Sequence, residues 1–516
     1  MKRFNFSNRP APAAAPRQGR GHWMLHRVRA ALLAVVAMVA APAIAQAQAQ
    51  VPYGADPAFA GGTYIQDAFA SPSSGNIYFE GKKVARLPNG DIVVAALVKK
   101  PDGTSPANGY WNIGLVRYNA TGTVRLTWPN PTAAYAHYND QYVIYPNTTS
   151  SANFDWIQDI SVIGDKMVVA ANWRHNGTDD YDTKLLVFGT DGAFKSDTLM
   201  TSSGNAEYVG GMATYRTGAD PATHHVVVVA TSMTRQSLGG SIGRPIFKRY
   251  TINANGTLSA ATGSAPVPLN THWCWDTNRD CRPAGIALAT TSLAIDSAPA
   301  IYIVNRAYND GWGYSVTKVN RNGVEDEDWG GAFRRHTTDG ATPAYNWAEA
   351  IAVRVTGLGI PENPYRHHIF VAAEIKRGCG NGVVVAKFDH DNSSVFQHYA
   401  VFGGKAENDA ACGHGVNQEH FPRDMVLNGD RLAVVGWGRY TTPDQGGGPN
   451  HVDSHAFAAV LDASATGGVP LLDFRSYGFP ISGSEGFRHS ALSGVVPTDA
   501  SKFVLTGDVR YTHDAS

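Results

Sequence analysis

Four ionisable side chains recur at one point in a periodic chain. Asp159 follows Trp156-Ile-Gln, Glu349 follows Trp347-Ala, Asp424 follows Phe421-Pro-Arg and His489 follows Phe487-Arg, each a short distance ahead of an apolar run. A pair drawn from Glu349, Asp159, Asp424 and His489 has the residue types for general acid–base catalysis. The same residue types also suit a solvated network of ion pairs. A second set, Trp156, Gln158, Trp312, Trp347, Arg423 and Trp437, combines flat rings with hydrogen-bonding groups. Such a set can stack on a sugar ring or grip a peptide. It can equally pack loops onto one another.

Other motifs are weaker in context. Gly239-Gly-Ser241-Ile-Gly243 fits G-x-S-x-G, but a nucleophile elbow needs a strand before the serine and a helix after it. His451 and His455 have i, i+4 spacing without a helical setting or an adjacent Glu, among late histidines that include His414, His420 and His489. Asp276, Asn278 and Asp280 match the first three ligands of a calcium loop. Cys281 stands where that loop needs Gly, and the closing Glu is missing, so calcium is a minor alternative and no cofactor is expected. The chain carries no Walker loop and no H-E-x-x-H.

The elements that must position these residues begin with a leader. Lys2, Arg3, Arg9, Arg17, Arg20, Arg27 and Arg29 precede an apolar run, Ala30 to Ala41, and small-residue cleavage sites such as Ala47-Gln-Ala49 follow. Residues 1–49 therefore read as a secretory signal peptide with a long basic segment, exported by the Sec route, to the periplasm or beyond the cell. A start at Met24 would give a leader of ordinary size. Of the 43 basic residues seven lie in 1–50 and no acidic ones do, leaving 36 basic against 43 acidic residues. That balance argues against nucleic acid or an anionic membrane as partner, and no later stretch is long enough to span a bilayer.

Residues 50–516 carry a repeat. A β-branched run recurs seven times, among them Asp91-Ile-Val-Val-Ala-Ala, His225-Val-Val-Val-Val-Ala and His368-Ile-Phe-Val-Ala-Ala. A shorter strand precedes each run. A third strand, a tight Asn/Asp/Gly turn and a fourth strand follow, as at Asn119-Ala-Thr-Gly122 and Asn320-Arg-Asn-Gly323. Four antiparallel strands per unit predict an all-β fold, a single β-propeller of about seven blades. The last repeat stops after two strands. The strand-like stretches Gly62-Thr-Tyr-Ile and Asn76-Ile-Tyr-Phe supply its missing outer half and close the ring.

The first-strand columns should ring the central channel. One reads Lys82, Gln158, Gly210, Ala284, Glu349, Arg423, His489, and the next Lys83, Asp159, Gly211, Gly285, Ala350, Asp424, Ser490. The turns between third and fourth strands are short, so the long insertions share the opposite face, where binding belongs. Placed by blade, Cys274 and Cys281 share one loop, and Cys379 and Cys412 share one face of one blade. This predicts disulfides Cys274–Cys281 and Cys379–Cys412.

Gly114-Leu-Val-Arg-Tyr-Asn-Ala-Thr-Gly and Leu87-Pro-Asn-Gly-Asp-Ile-Val-Val-Ala-Ala resemble segments of the delta-60 repeat family, secreted bacterial proteins of propeller-like fold with no settled activity. The resemblance is good in two or three repeats and departs elsewhere, since His390-Asp-Asn392 lacks the turn glycine. It implies the fold and no catalytic residue. The expected protein is thus a monomeric exported propeller that binds a carbohydrate or protein ligand on its long-loop face. The alternatives are a calcium-assisted hydrolase or lactonase at the channel mouth, and a passive scaffold.

Overall fold

The structure is a computed structural model. It describes residues 79–99, 111–131, 142–145, 152–175, 181–200, 206–218, 224–235, 241–261, 267–268, 280–289, 299–308, 312–326, 329, 332–334, 346–357, 366–377, 380–389, 392–404, 418–442, 451–466, 468–477, 487–498 and 502–512. The leader, the stretch at 62–65 and residues 76–78 of the second stretch lie outside these residues; the last residue of that stretch, Phe79, instead opens the first strand of the first sheet, opposite Val98. Among the described residues there are strands and no helix, and no helix long and apolar enough to cross a membrane.

Six sheets follow one another along the chain. The first has β1 (Phe79–Arg86), β2 (Ile92–Lys99), β3 (Trp111–Tyr118) and β4 (Arg125–Leu126), with β5 (Tyr142–Ile144) also on β3. The second has β6 (Ala152–Ile163), β7 (Lys166–His175), β8 (Tyr181–Gly189) and β9 (Phe194–Leu199). The third has β10 (Ala206–Arg216), β11 (His224–Arg235), β12 (Ser241–Ile252) and β13 (Leu258–Ala260), with β14 (Val267–Pro268) on β12. The fourth has β15 (Cys281–Ala289), β16 (Ala300–Tyr308), β17 (Trp312–Val319) and β18 (Ala332–Arg334). The fifth has β19 (Ala348–Thr356), β20 (Arg366–Arg377), β21 (Gly380–Asp389) and β22 (Asn392–Phe402). The sixth has β23 (Gln418–Asn428), β24 (Arg431–Thr442), β25 (His451–Asp462) and β26 (Leu471–Tyr477). A last pair, β27 (Phe487–Pro497) and β28 (Phe503–Thr512), joins the sixth sheet through one parallel bridge, Ser454 to His489.

Each first strand packs on the next: β1 on β6, β6 on β10, β10 on β15, β15 on β19, β19 on β23, β23 on β27, and β27 back on β1. The architecture is a β-propeller with six four-stranded blades, and the β27–β28 pair sits between the sixth blade and the first.

The second strands explain why the repeat is so apolar. A blade is covered on both faces, so consecutive side chains, which point to opposite faces, are all buried. In β11, Val226, Val228 and Ala230 pack towards Val168, Ala170 and Leu185 of blade 2, while Val227 and Val229 pack towards Ile301 and Ile303 of blade 4. In β20, Ile369 and Val371 meet Tyr302 and Val304 of blade 4, and Phe370 and Ala372 meet Leu432 and Val434 of blade 6. The terminal pair obeys the same rule. Leu492 and Val495 lie on Ala433 and Val435 of blade 6, and Val504 on Val84, Ile92 and Val116 of blade 1.

The short face is set by tight turns. Gly323 adopts φ 78°, and its amide donates to the Asn320 carbonyl at 3.0 Å. A Cβ there would stand 2.6 Å from the Phe247 ring of the preceding blade, so the turn also seals an interblade contact.

Because Phe370 is fully buried between blades 5 and 6, Phe370→Ala should lower the unfolding free energy by about 3–5 kcal/mol. Val124→Ala, at a turn tip 51% exposed, should change it by less than about 0.5 kcal/mol. Denaturant titration of both variants checks the contrast.

Candidate functional site

Every first strand carries a β-bulge at one level. The register shifts fall at Lys82, Gln158, Gly210, Ala284, Glu349, Arg423 and Ser493. A bulge breaks the side-chain alternation and re-aims the residue it holds. The first six members are those of the sequence-derived column. The seventh differs, because the bulge falls on Ser493 and the residue after it is Gly494, four residues beyond His489 and Ser490. The other bulges follow two residues after a larger side chain such as Trp156, Tyr208, Arg282, Trp347 or Phe421. In β27 that position is Ala491, and Phe487 gives a false anchor. His489 lies opposite Arg510 instead.

These strands line a central channel of about 380 Å³, walled by Lys83, Gln158, Asp159, Glu349, Arg423 and Asp424 among others. On one side the wall is nearly bare. Gly210 lies where a Cβ would meet the Pro283 carbonyl oxygen at 2.4 Å, so glycine there lets blades 3 and 4 approach closely. The charged groups collect on the remaining side in two clusters.

The first cluster bridges blades 6, 1 and 2. Lys83 Nζ lies 3.1 Å from Asp424 Oδ2, which also accepts the Val495 amide of β27 at 3.1 Å. The ion pair thus passes across the Gly494 level and ties blade 1 to blade 6. Asp159 accepts the Ile160 amide at 2.8 Å. Burial pushes its pKa up to about 7; the Lys83 ammonium opposes this and the Asp424 carboxylate adds to it.

The second cluster joins blades 4, 5 and 6 as a chain: Trp347, Arg306, Glu349, Arg423, Trp437. Glu349 is buried. It receives Arg306 Nη2 at 2.6 Å on one oxygen and has Arg423 Nη1 at 3.6 Å from the other. Arg306 also donates Nε to the Ala348 carbonyl at 2.9 Å. Each guanidinium lies over an indole, Arg306 4.8 Å from the Trp347 centroid and Arg423 6.0 Å from that of Trp437. Phe421 stacks on Trp437 at 4.4 Å. Glu374 stands beside this chain, its amide bonded to the Trp347 carbonyl at 3.0 Å. Burial, with Glu349 and Glu419 nearby, raises its pKa to about 8 against the pull of Arg423 and Arg306. Glu419 has its own partner, Arg439, at 3.9 Å.

Sequence reasoning found Glu349, Arg423, Trp347 and Trp437 but missed Arg306 and Glu374. A signal was present. Counting two residues along each second strand from the position opposite the post-bulge residue gives Leu97, Asn172, Thr231, Arg306, Glu374, Trp437 and Asp508. This column faces the residues that precede the bulges, and Asn172 and Arg306 both reach a backbone group of the next blade.

The other candidates separate. Trp156 donates Nε1 to Gln158 at 2.9 Å, Lys82 lies 5.1 Å from its ring, and Gln158 donates to the Gly210 carbonyl at 3.1 Å. They form a mouth contact on blades 1 to 3. Trp312 opens β17 opposite Tyr308, on a third strand away from the ring of first strands. Ser241 begins a strand, β12, with no helix after it, so no nucleophile elbow exists. His451 and His455 lie on extended β25, where i, i+4 residues are roughly 13 Å apart. His420 is a packed ring against Phe457 and Phe474, its Nδ1 accepting the Gly404 amide at 3.0 Å, and burial lowers its pKa to about 4. Asp280 is engaged by Arg282 at 2.7 Å and the Gly243 amide at 2.8 Å. Asp276, Asn278, Cys274, Cys379 and Cys412 lie outside the described residues, while Cys281 is buried beside Ala307. Among the described residues no three metal-ligating side chains gather.

No family model and no curated protein matches the chain. Solved structures do. A glycosyl hydrolase from Bacteroides ovatus aligns at 11% identity and TM-score 0.27, over 82% of this chain and 96% of that one. A Trypanosoma rangeli sialidase mutant displaying trans-sialidase activity aligns at 11% and 0.30, over 84% and 52%. The Aleuria aurantia lectin, in complex with α-methyl-L-fucoside, aligns at 10% and 0.32, over 79% and 97%. Likeness of this degree assigns neither activity nor ligand.

The raised pKa of Asp159 has a defined consequence. The folded protein keeps this proton to a higher pH than the unfolded chain, whose value is near 3.8. Its contribution to stability is therefore complete below that value and is lost as pH rises towards about 7. Raising pH from about 5 to about 8 should lower the wild-type melting temperature relative to Asp159→Asn. Parallel melting curves for the two proteins would refute it.

Proposed function

We propose that this chain is an exported β-propeller that binds a carbohydrate at the channel mouth, on the face where first strands begin and second strands end. The observation that carries the reading is the linked series Trp347–Arg306–Glu349–Arg423–Trp437. Two indoles each lie beside a guanidinium, and both guanidiniums pair with one buried carboxylate, Arg306 through a 2.6 Å hydrogen bond and Arg423 by a looser approach at 3.6 Å. Rigid aromatic surfaces beside hydrogen-bonding groups recognise the alternating apolar and hydroxyl faces of a sugar ring. A protein ligand is the competing occupant.

The same proposal includes the finer architecture. β27 and β28 are the inner half of a seventh blade, and strands from residues 51–78 complete it. Residues 1–49 direct Sec export and are removed. Cys274–Cys281 and Cys379–Cys412 close two loops of the binding face, each contributing about 2–4 kcal/mol. The delta-60 resemblance belongs to this reading as support for the fold.

A hydrolase reading has one observation in its favour. Glu374 holds its proton to about pH 8 beside the buried, arginine-bound Glu349, and two carboxyl groups with different protonation states can divide acid and base roles.

A glycan array followed by melting-temperature measurements tests the binding reading, since a ligand selective for the native state raises the melting point. The expected result is a shift with one sugar class, reduced at least tenfold in ligand potency by Trp347→Ala. A shift that survives both Trp347→Ala and Trp437→Ala would place binding elsewhere. Turnover of an aryl glycoside, abolished in Glu374→Gln, would move the assignment to the hydrolase.

A further inference from the structure

The charges at the mouth of blades 4 to 6 do not cancel. Arg306 and Arg423 share the single carboxylate of Glu349. Glu419 is taken by Arg439. The two arginines differ in how far they are used. Arg306 is held by two short hydrogen bonds, to Glu349 and to the Ala348 carbonyl. Arg423 lines the channel, and its only ion pair among the described residues is the 3.6 Å approach to Glu349. Most of its donor fork is therefore uncommitted. The Glu374 carboxyl makes no ion pair or side-chain hydrogen bond among the described residues, and it lies within electrostatic reach of Glu349, Glu419, Arg423 and Arg306.

We propose that this site takes an acidic saccharide, with the uronate carboxylate seated against Arg423 and Glu374 and the sugar ring against the Trp347 and Trp437 indoles. The assignment rests on the carbohydrate-binding reading and narrows it. A guanidinium fork matches a carboxylate in plane and charge. Glu374 supports it by remaining a neutral donor through physiological pH, since it ionises only near pH 8. A carboxylic acid can donate to a ligand carboxylate, whereas a carboxylate would repel it. The groups facing Glu374 are Glu349 and Glu419, which favour its proton, and Arg423 and Arg306, which oppose it.

Calorimetry on the purified protein tests this with three probes: tetragalacturonate, its fully methyl-esterified form and a short poly-glutamate. The free acid should bind at least tenfold more tightly than the ester. Its affinity should fall about 30-fold between pH 7 and pH 9.5 as Glu374 ionises. Glu374→Gln, which keeps a donor but cannot titrate, should retain binding at pH 7 and abolish that decline. Arg423→Gln should lose the preference for the acid over the ester while keeping the wild-type melting temperature to within a few degrees. Equal binding of acid and ester overturns the acidic-sugar assignment and leaves the carbohydrate reading standing. Poly-glutamate binding as tightly as tetragalacturonate overturns it in favour of an acidic peptide. An affinity independent of pH in the wild type removes Glu374 from the site. Binding of none of the three probes, with sugars absent from the array result as well, overturns both readings together.

Discussion

Everything in this protein depends on burying both faces of each blade at once. A single four-stranded sheet with Val226 to Ala230 on its second strand would leave two apolar faces in water. The chain avoids this only by setting each blade between two others, and the apolar layers then run from blade to blade around the molecule. The two-stranded element β27–β28 fits the same requirement, since it carries apolar side chains towards both blade 6 and blade 1. Ion pairs matter less to the fold than this layering. The Lys83–Asp424 pair still ties the first blade to the sixth, and Asp424 also holds the Val495 amide of β27.

Close radial packing brings the first strands together around a narrow channel, which leaves little room for side chains there. The repeated bulge answers this constraint. Where blades approach most closely the bulged residue is Gly210 or Ala284, and where there is space it is Lys82, Gln158, Glu349 or Arg423. Polar residues consequently cluster on one side of the mouth. Burial then does the chemistry: it lifts Asp159 to about 7 and Glu374 to about 8, and it obliges Glu349 to be paired with arginines.

Much of this was legible in the sequence, for a physical reason. The second-strand runs are conspicuous because both of their faces are buried, and turn residues such as Gly256 and Gly323 are forced by positive φ. The bulge column could be read in six blades because a larger side chain precedes it by two residues. It slipped in the seventh, where Ala491 replaces that cue and Phe487 imitates it. Arg306 and Glu374 escaped because their importance comes from cross-strand register, which sets them opposite Arg282 and Trp347. Residue type alone does not reveal that alignment. The histidines misled in the opposite direction: His420 and His455 lie near the long connections in sequence, yet His420 is a buried neutral ring.

The central claim is that recognition takes place at the Trp347–Arg306–Glu349–Arg423–Trp437 series. A crystal structure of the purified protein soaked with tetragalacturonate addresses it most directly. The account predicts a sugar ring against the Trp347 or Trp437 indole and a carboxylate within hydrogen-bonding distance of Arg423. An occupied site elsewhere, with Arg423 and both indoles untouched, would contradict it.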